Sequence, residues 1–100
     1  MKLELNLNDK RDILKLKKVA KALADLKRLE ILELISKNDD ESMNYGDLSR
    51  EIERSPTAIT NHMNWIRQSG LIEDLIMEGK RGKMQKIPKL KFTKIIINLK

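Results

Sequence analysis

Ser55-Pro56-Thr57-Ala58-Ile59-Thr60-Asn61-His62-Met63-Asn64-Trp65-Ile66-Arg67-Gln68-Ser69-Gly70 reads as one helix with both ends marked. Ser55 is a good N-cap, because its hydroxyl can accept from an amide that the first turn leaves unpaired. Pro56 falls at the first helical position, where its missing N–H costs nothing. Gly70 supplies the left-handed residue on which the chain leaves. Ile59, Met63 and Ile66 recur at spacings of four and three, giving a single apolar stripe.

The opposite side is unusual in what it lacks. At about 100° per residue, Thr57, Asn61, Asn64 and Gln68 gather away from the stripe. A solvated face normally carries Glu and Lys, whereas this one carries neutral hydrogen-bonding groups and no acid. Such side chains can donate and accept at base edges in a major groove, and they do not repel phosphates. A plain polar surface helix is the competing reading.

Elsewhere the composition narrows the field. One hundred residues, 40% of them apolar, make one small domain (1–100) with a thin core, which favours a dimer. With only 3% aromatic residues, Leu and Ile must fill it. Cysteine is absent, which removes disulfides, thiolate metal sites and cysteine nucleophiles. No apolar run approaches the roughly 20 residues needed to cross a bilayer. The opening residues alternate instead of forming a signal-peptide block. We therefore expect a cytoplasmic protein with no membrane partner.

Charge is sharply partitioned. From Gly79 to Lys100 there are eight cationic side chains and no acid, whereas the first 78 residues hold 13 cationic and 15 acidic ones, a net −2. The overall +6 thus resides in the last 22 residues. Concentrated in this way, it suits a polyanion such as duplex DNA, whose counterions are released on binding.

Around the central helix the elements follow in order. Leu3, Leu5 and Leu7 alternate with Lys2, Glu4 and Asn6, the pattern of a strand with one buried face. Asn8 or Asp9 can cap a helix from Asp9 to about Ala24. Ile13, Leu16, Ala20 and Leu23 form its stripe, which Leu14 and Val19 widen enough for two contacts, one with its own domain and one with a second subunit. A second helix spans about Leu26 to Lys37, and its Leu29, Ile31, Leu32, Leu34 and Ile35 are expected at the core. Asp39, Asp40 and Glu41 lie in a polar loop and lack the spacing of a cation site, so no metal or other cofactor is expected. A short helix from Tyr45 to about Glu53, capped by Asn44, precedes the turn at Arg54-Ser55. Together with the central helix it makes a helix-turn-helix, at about 45–69. Leu71 to Glu78 and Met84 to Ile87 read as a hairpin, or wing, at about 71–87. A last strand is expected within 90–99. The fold class is thus mainly α with a small antiparallel β-sheet, a winged helix-turn-helix.

These residues resemble a known family. Leu23-Ala24-Asp25-Leu26-Lys27-Arg28-Leu29-Glu30-Ile31-Leu32 looks like the Leu-x-Asp-Pro-Thr-Arg-x-x-Ile-Leu stretch of ArsR-type winged-helix repressors. Ile59-Thr60-Asn61-His62-Met63-Asn64-Trp65-Ile66-Arg67-Gln68-Ser69-Gly70-Leu71-Ile72 is similar to that family's recognition helix and exit. MarR-type winged helices share much of the pattern. The resemblance covers roughly Val19 to Lys83 and implies a homodimer with one helix per subunit in the major groove and the wing beside the backbone. By position, Thr60 and His62 match the family's Ser and His near DNA. Leu26 and Lys27 replace the usual Pro-Thr, which leaves that helix start less sharply marked. With no Cys and one His, the metal sensing common in the family is not expected. The family commonly closes its dimer with a C-terminal helix, whereas this tail reads as strand. We expect 1–24 and 90–99 to dimerise instead, with the N- and C-terminal strands pairing.

The site expected from sequence comprises Ser55, Thr57, Ala58, Thr60, Asn61, His62 and Asn64 on the helix, with Lys80, Arg81 and Lys83 on the wing. No nucleophile–base pair, paired carboxylates or phosphate-cradling glycine loop stands out, so no catalytic residue and no enzyme activity is expected. The function expected is sequence-specific duplex-DNA binding in transcriptional regulation. A protein-interaction module and an architectural DNA binder of low specificity are the alternatives.

Overall fold

The computed structural model describes residues 1–38, 43–79 and 82–100. The elements run β1 (Lys2–Asn6), α1 (Lys10–Leu23), α2 (Leu26–Lys37), α3 (Tyr45–Ile52), α4 (Pro56–Ser69), β2 (Ile72–Glu78), β3 (Met84–Leu90) and β4 (Lys94–Asn98). Four helices and a small antiparallel hairpin make the winged helix-turn-helix that the sequence leads one to expect.

Side-chain caps set the helix starts. Asp9 accepts from the Arg11 amide and Asp25 from those of Lys27 and Arg28, and Ser55 accepts from Ala58 ahead of Pro56. Asn44 and Asp47 form a reciprocal capping box at α3. The start of α2 is therefore fixed by Asp25 even though Leu26 and Lys27 stand in place of Pro-Thr. Between α3 and α4 the chain reverses through Glu53, which takes a left-handed φ of 57°. Gly70 does the same after α4, at φ 79°, a conformation that costs a residue without Cβ little.

The helix packing centres on α4, against which α1, α2, α3 and β2 all rest. Ile59, Met63 and Ile66 are fully buried, together with Ile31 and Ile35 of α2 and Leu48 and Ile52 of α3. α1 differs from its expected stripe. Val19 and Ala22 are its buried residues, and Leu16 and Leu23 pack partly against the core. Ile13 and Leu14 stay 44% and 65% exposed, and Ala20 is exposed as well. Leu29 of α2, expected at the core, is also exposed. Neither helix is turned to bury every apolar side chain, because a helix has one face to offer each neighbour.

The antiparallel pair β2–β3 runs from Ile72 opposite Leu90 to Glu78 opposite Met84. β3 reaches three residues beyond the expected Ile87 and carries Pro88 within it. That sheet has only two strands, so the missing proline N–H interrupts no second ladder. The expected pairing of terminal strands occurs within the chain and in parallel, Leu3 opposite Ile95 and Leu5 opposite Ile97. Leu3 and Leu5 are buried in the same core as the helices. Asn98 Nδ2 ties the sheet further by donating to Glu4 and Asn6. Asp12 of α1 accepts from the Asn6 amide.

Leu5→Ala is expected to lower the unfolding free energy by about 2–5 kcal/mol, seen as a lower urea midpoint. Met84→Ala, at a side chain 63% exposed, should change it by less than about 0.5 kcal/mol.

Candidate nucleic-acid interface

α3, the turn at Glu53 and α4 bring the helical candidates to one surface. Ser55, Thr57, Thr60, Asn61 and Asn64 are exposed, while Ala58 and His62 are half-buried on the flank. No acid occurs anywhere in α4. Arg50 and Arg54 are exposed on and just after α3, and Lys83 and Lys86 are exposed on the wing. Lys80 and Arg81, and likewise Asp39, Asp40 and Glu41, lie outside the described residues. Among the described residues no three metal-ligating side chains come together, and no helix is long and apolar enough to cross a membrane.

A side-chain relay fixes this surface to the wing. Asp74 on β2 accepts from the Tyr45 hydroxyl of α3 at 2.8 and 2.9 Å. Arg67 of α4 reaches the same carboxylate at 3.5 Å and also donates to the Asn64 amide oxygen. One exposed α4 side chain is thus oriented through Arg67 by an acid on the wing. A second tie runs from Asn44 Nδ2 to Gln85 Oε1 at 2.7 Å. Gln85 lies so close over Gly79 that a Cβ there would meet its amide nitrogen at 1.9 Å. Burial and the Asp74 hydrogen bond together raise the Tyr45 pKa well above its ordinary value.

His62 has a neighbour that the sequence did not single out. Arg28 of α2 donates through Nε to Ala22 O (3.0 Å) and through Nη2 to Lys21 O (2.6 Å), both carbonyls at the C-terminal end of α1. Its Nη1 lies 3.4 Å from His62 Nδ1. Since a guanidinium only donates, this is a hydrogen bond in the tautomer that leaves Nδ1 bare. Desolvation acts to raise the Asp25 pKa. The Lys27 and Arg28 amides, with the nearby His62 and Arg28 side chains, outweigh it and hold Asp25 below its ordinary value. The junction of α1, α2 and α4 is therefore polar and pinned. Trp65, on the other flank position towards α1, is 41% exposed, with Lys21 Nζ 5.2 Å from its ring centre.

The profile of bacterial regulatory proteins of the arsR family matches residues 25–74, which span α2 through the start of the wing. This chain belongs to the arsR family. The matched half contains the Asp25–Arg28 cap, the Tyr45–Asp74 pair and all of α4. Over 52 residues it is 36% identical to the transcriptional activator HlyU of Vibrio cholerae, a stretch covering 52% of this chain and 45% of that relative. The match thus spans under half the length of that relative. A solved structure of HlyU superposes with a TM-score of 0.60 at 24% identity, covering 85% of this chain and 84% of the other. Reduced HlyU gives 0.58 at 24% identity, covering 83% and 79%. The family is one of DNA-binding transcriptional regulators and not of enzymes. Of the two winged-helix families that the sequence resembles, the matching profile is the arsR one.

Tyr45 and Asp74, which tie α3 and α4 to the wing, are the site-positioning contacts that sequence reasoning missed. The signal available was slight: one tyrosine at a helix start and one of the three acids, Glu73, Asp74 and Glu78, in the β2 stretch. Tyr45→Phe and Asp74→Ala should each destabilise by about 1–2 kcal/mol, with a coupling of about 1 kcal/mol in the double-mutant cycle. Because the folded-state pKa is raised, the Tyr45 contribution is complete below the unfolded value of about 10 and is lost as pH rises through the folded one. With one tyrosine in the chain, absorbance at the phenolate band reads this directly. Ionisation should begin only above the midpoint shown by the urea-unfolded protein.

Proposed function

We propose that this chain binds a specific duplex DNA site as a homodimer and thereby regulates transcription. The observation that carries the reading is the outer face of α4. Thr57, Thr60, Asn61 and Asn64 stand exposed and free of acids on a helix whose other face is fully buried. Neutral donors and acceptors of this kind read base edges. Lys83, with Lys80 and Arg81 next to it in sequence, supplies phosphate contacts that hold the register without sequence preference. Ser55, Ala58 and His62 complete the helix N-terminal half that approaches the groove.

Dimerisation rests on apolar surface. Ile13 on α1, with Leu26 and Leu29 at the start of α2, remains exposed although the core of each helix is satisfied. A second copy covering this surface would remove it from water at about 25 cal/mol per Å². Residues 1–24 and 90–99, joined by the start of α2, form the dimerising half in this reading, and the helix-turn-helix with its wing forms the DNA-binding half of a single domain. The rival protein-interaction reading predicts an apolar docking face on α4, and Thr57, Asn61 and Asn64 do not offer one.

Fluorescence anisotropy against duplex from the upstream region of its own gene and a scrambled duplex, over a salt series, tests the reading. The upstream duplex should bind on the order of a thousandfold more tightly. Asn61→Ala should erode that preference, whereas Lys83→Ala should weaken both duplexes alike and reduce the salt slope by about one. Equal binding that collapses with salt would make the protein architectural, and no binding at low salt would remove the DNA reading. In sedimentation, Ile13→Glu should shift the protein from dimer towards monomer.

A further inference from the structure

A second site lies between α1 and α4, away from the N-terminal half of the groove-facing helix. Leu14, Lys17, Lys18 and Lys21 occupy one face of α1 at spacings of three, one and three. They meet Trp65 and Gln68, three apart on α4, around a groove of about 340 Å³. That volume is within the range of about 300–1,000 Å³ typical of small-molecule sites. Its apolar lining is the indole of Trp65 and the side chain of Leu14, which is 65% exposed. Its polar lining is three lysines and the amide of Gln68. No acid lines the groove. Among the described residues, none of these lysines has an ion-pair partner, and Lys21 rests over the Trp65 ring instead.

We infer that this groove binds a small carboxylate with an apolar body, of the size of a medium-chain fatty acid. The chemistry is complementary at both ends. The hydrocarbon covers Trp65 and Leu14, and the carboxylate meets two or three lysines, a charge-assisted contact. A second copy of the chain is a poorer occupant, because two-fold packing through this face would oppose Lys17, Lys18 and Lys21 to their own copies. The apolar side chains assigned above to the dimer, Ile13, Leu26 and Leu29, do not line this groove. The site itself does not rest on the DNA-binding reading. An occupant would touch both α1 and α4, so it bears on how the groove-facing helix sits on the rest of the domain.

The chain has a single tryptophan, and it lines the groove. Titrating the whole protein with octanoate should therefore give a saturable change in tryptophan emission. Acetate has the charge without the chain, and 1-octanol the chain without the charge. Each should bind at least about tenfold more weakly, since the charged and apolar ends contribute separately. The double variant Lys18→Gln/Lys21→Gln alters exposed side chains only, and its thermal melt should match the parent. Its octanoate affinity should fall by about tenfold or more. Octanoate binding to Trp65→Ala, followed by calorimetry, should fall likewise. Three results would overturn the inference: no saturable response to octanoate at millimolar concentration, equal affinity for 1-octanol, or unchanged affinity in the lysine variant. A response of Trp65 to duplex DNA with none to octanoate would assign the lysines to phosphates and overturn it too.

Discussion

The rest of the molecule depends on the burial of one stripe of α4. Ile59, Met63 and Ile66 are removed from water altogether, each contributing on the order of 1.5–3 kcal/mol. α1, α2, α3 and β2 converge on that stripe. Because the stripe is satisfied from within the chain, the helix presents its polar side outward in a fixed rotation. A helix held by one face only can turn or slide. This one is held from several directions, and Ser55 and Gly70 stop it at both ends.

Polar contacts then refine what packing has placed. The Tyr45–Asp74–Arg67 group joins three elements at a half-buried point, and Arg67 extends it to Asn64. Asn44 and Gln85 make a parallel tie between α3 and β3. Together they fix the hairpin to the helix-turn-helix by side chains rather than by a continuous sheet. On the other flank, Arg28 satisfies carbonyls left over at the end of α1 while reaching His62. The two junctions set the helix between the wing and the α1–α2 corner.

Much of this was legible in the sequence, and the reason is local. Caps at Asp25, Asn44 and Ser55, the Pro56 start and the Gly70 exit act within one turn, so the helix bounds follow from neighbours in sequence. The wing followed from two strand-like runs in succession, Leu71 to Glu78 and Met84 to Ile87. The faces of α1 did not, since Ile13, Leu14 and Val19 are equally apolar and only the positions of distant elements decide which is buried. The Tyr45–Asp74 contact spans 29 residues and the β1–β4 pairing more than 90. Contacts of that range leave no periodic trace in a chain. The helical candidates Thr57, Thr60, Asn61 and Asn64 were readable because a helix face is itself periodic, whereas the relay behind Asn64 was not.

The terminal sheet carries a consequence for how the chain reaches its fold. Residues 2–6 pair with residues 94–98, so β1 has no strand partner until residues 94–98 have been synthesised. α2, α3 and α4 depend on contacts of much shorter range and can assemble on the emerging chain. Leu3 and Leu5 therefore gain the part of their cover that β4 supplies only late. Ribosome-bound chains would spend that interval with an open strand edge, and β1 itself, with Lys2 and Glu4 alternating with its two leucines, carries the charges that discourage pairing with a neighbour.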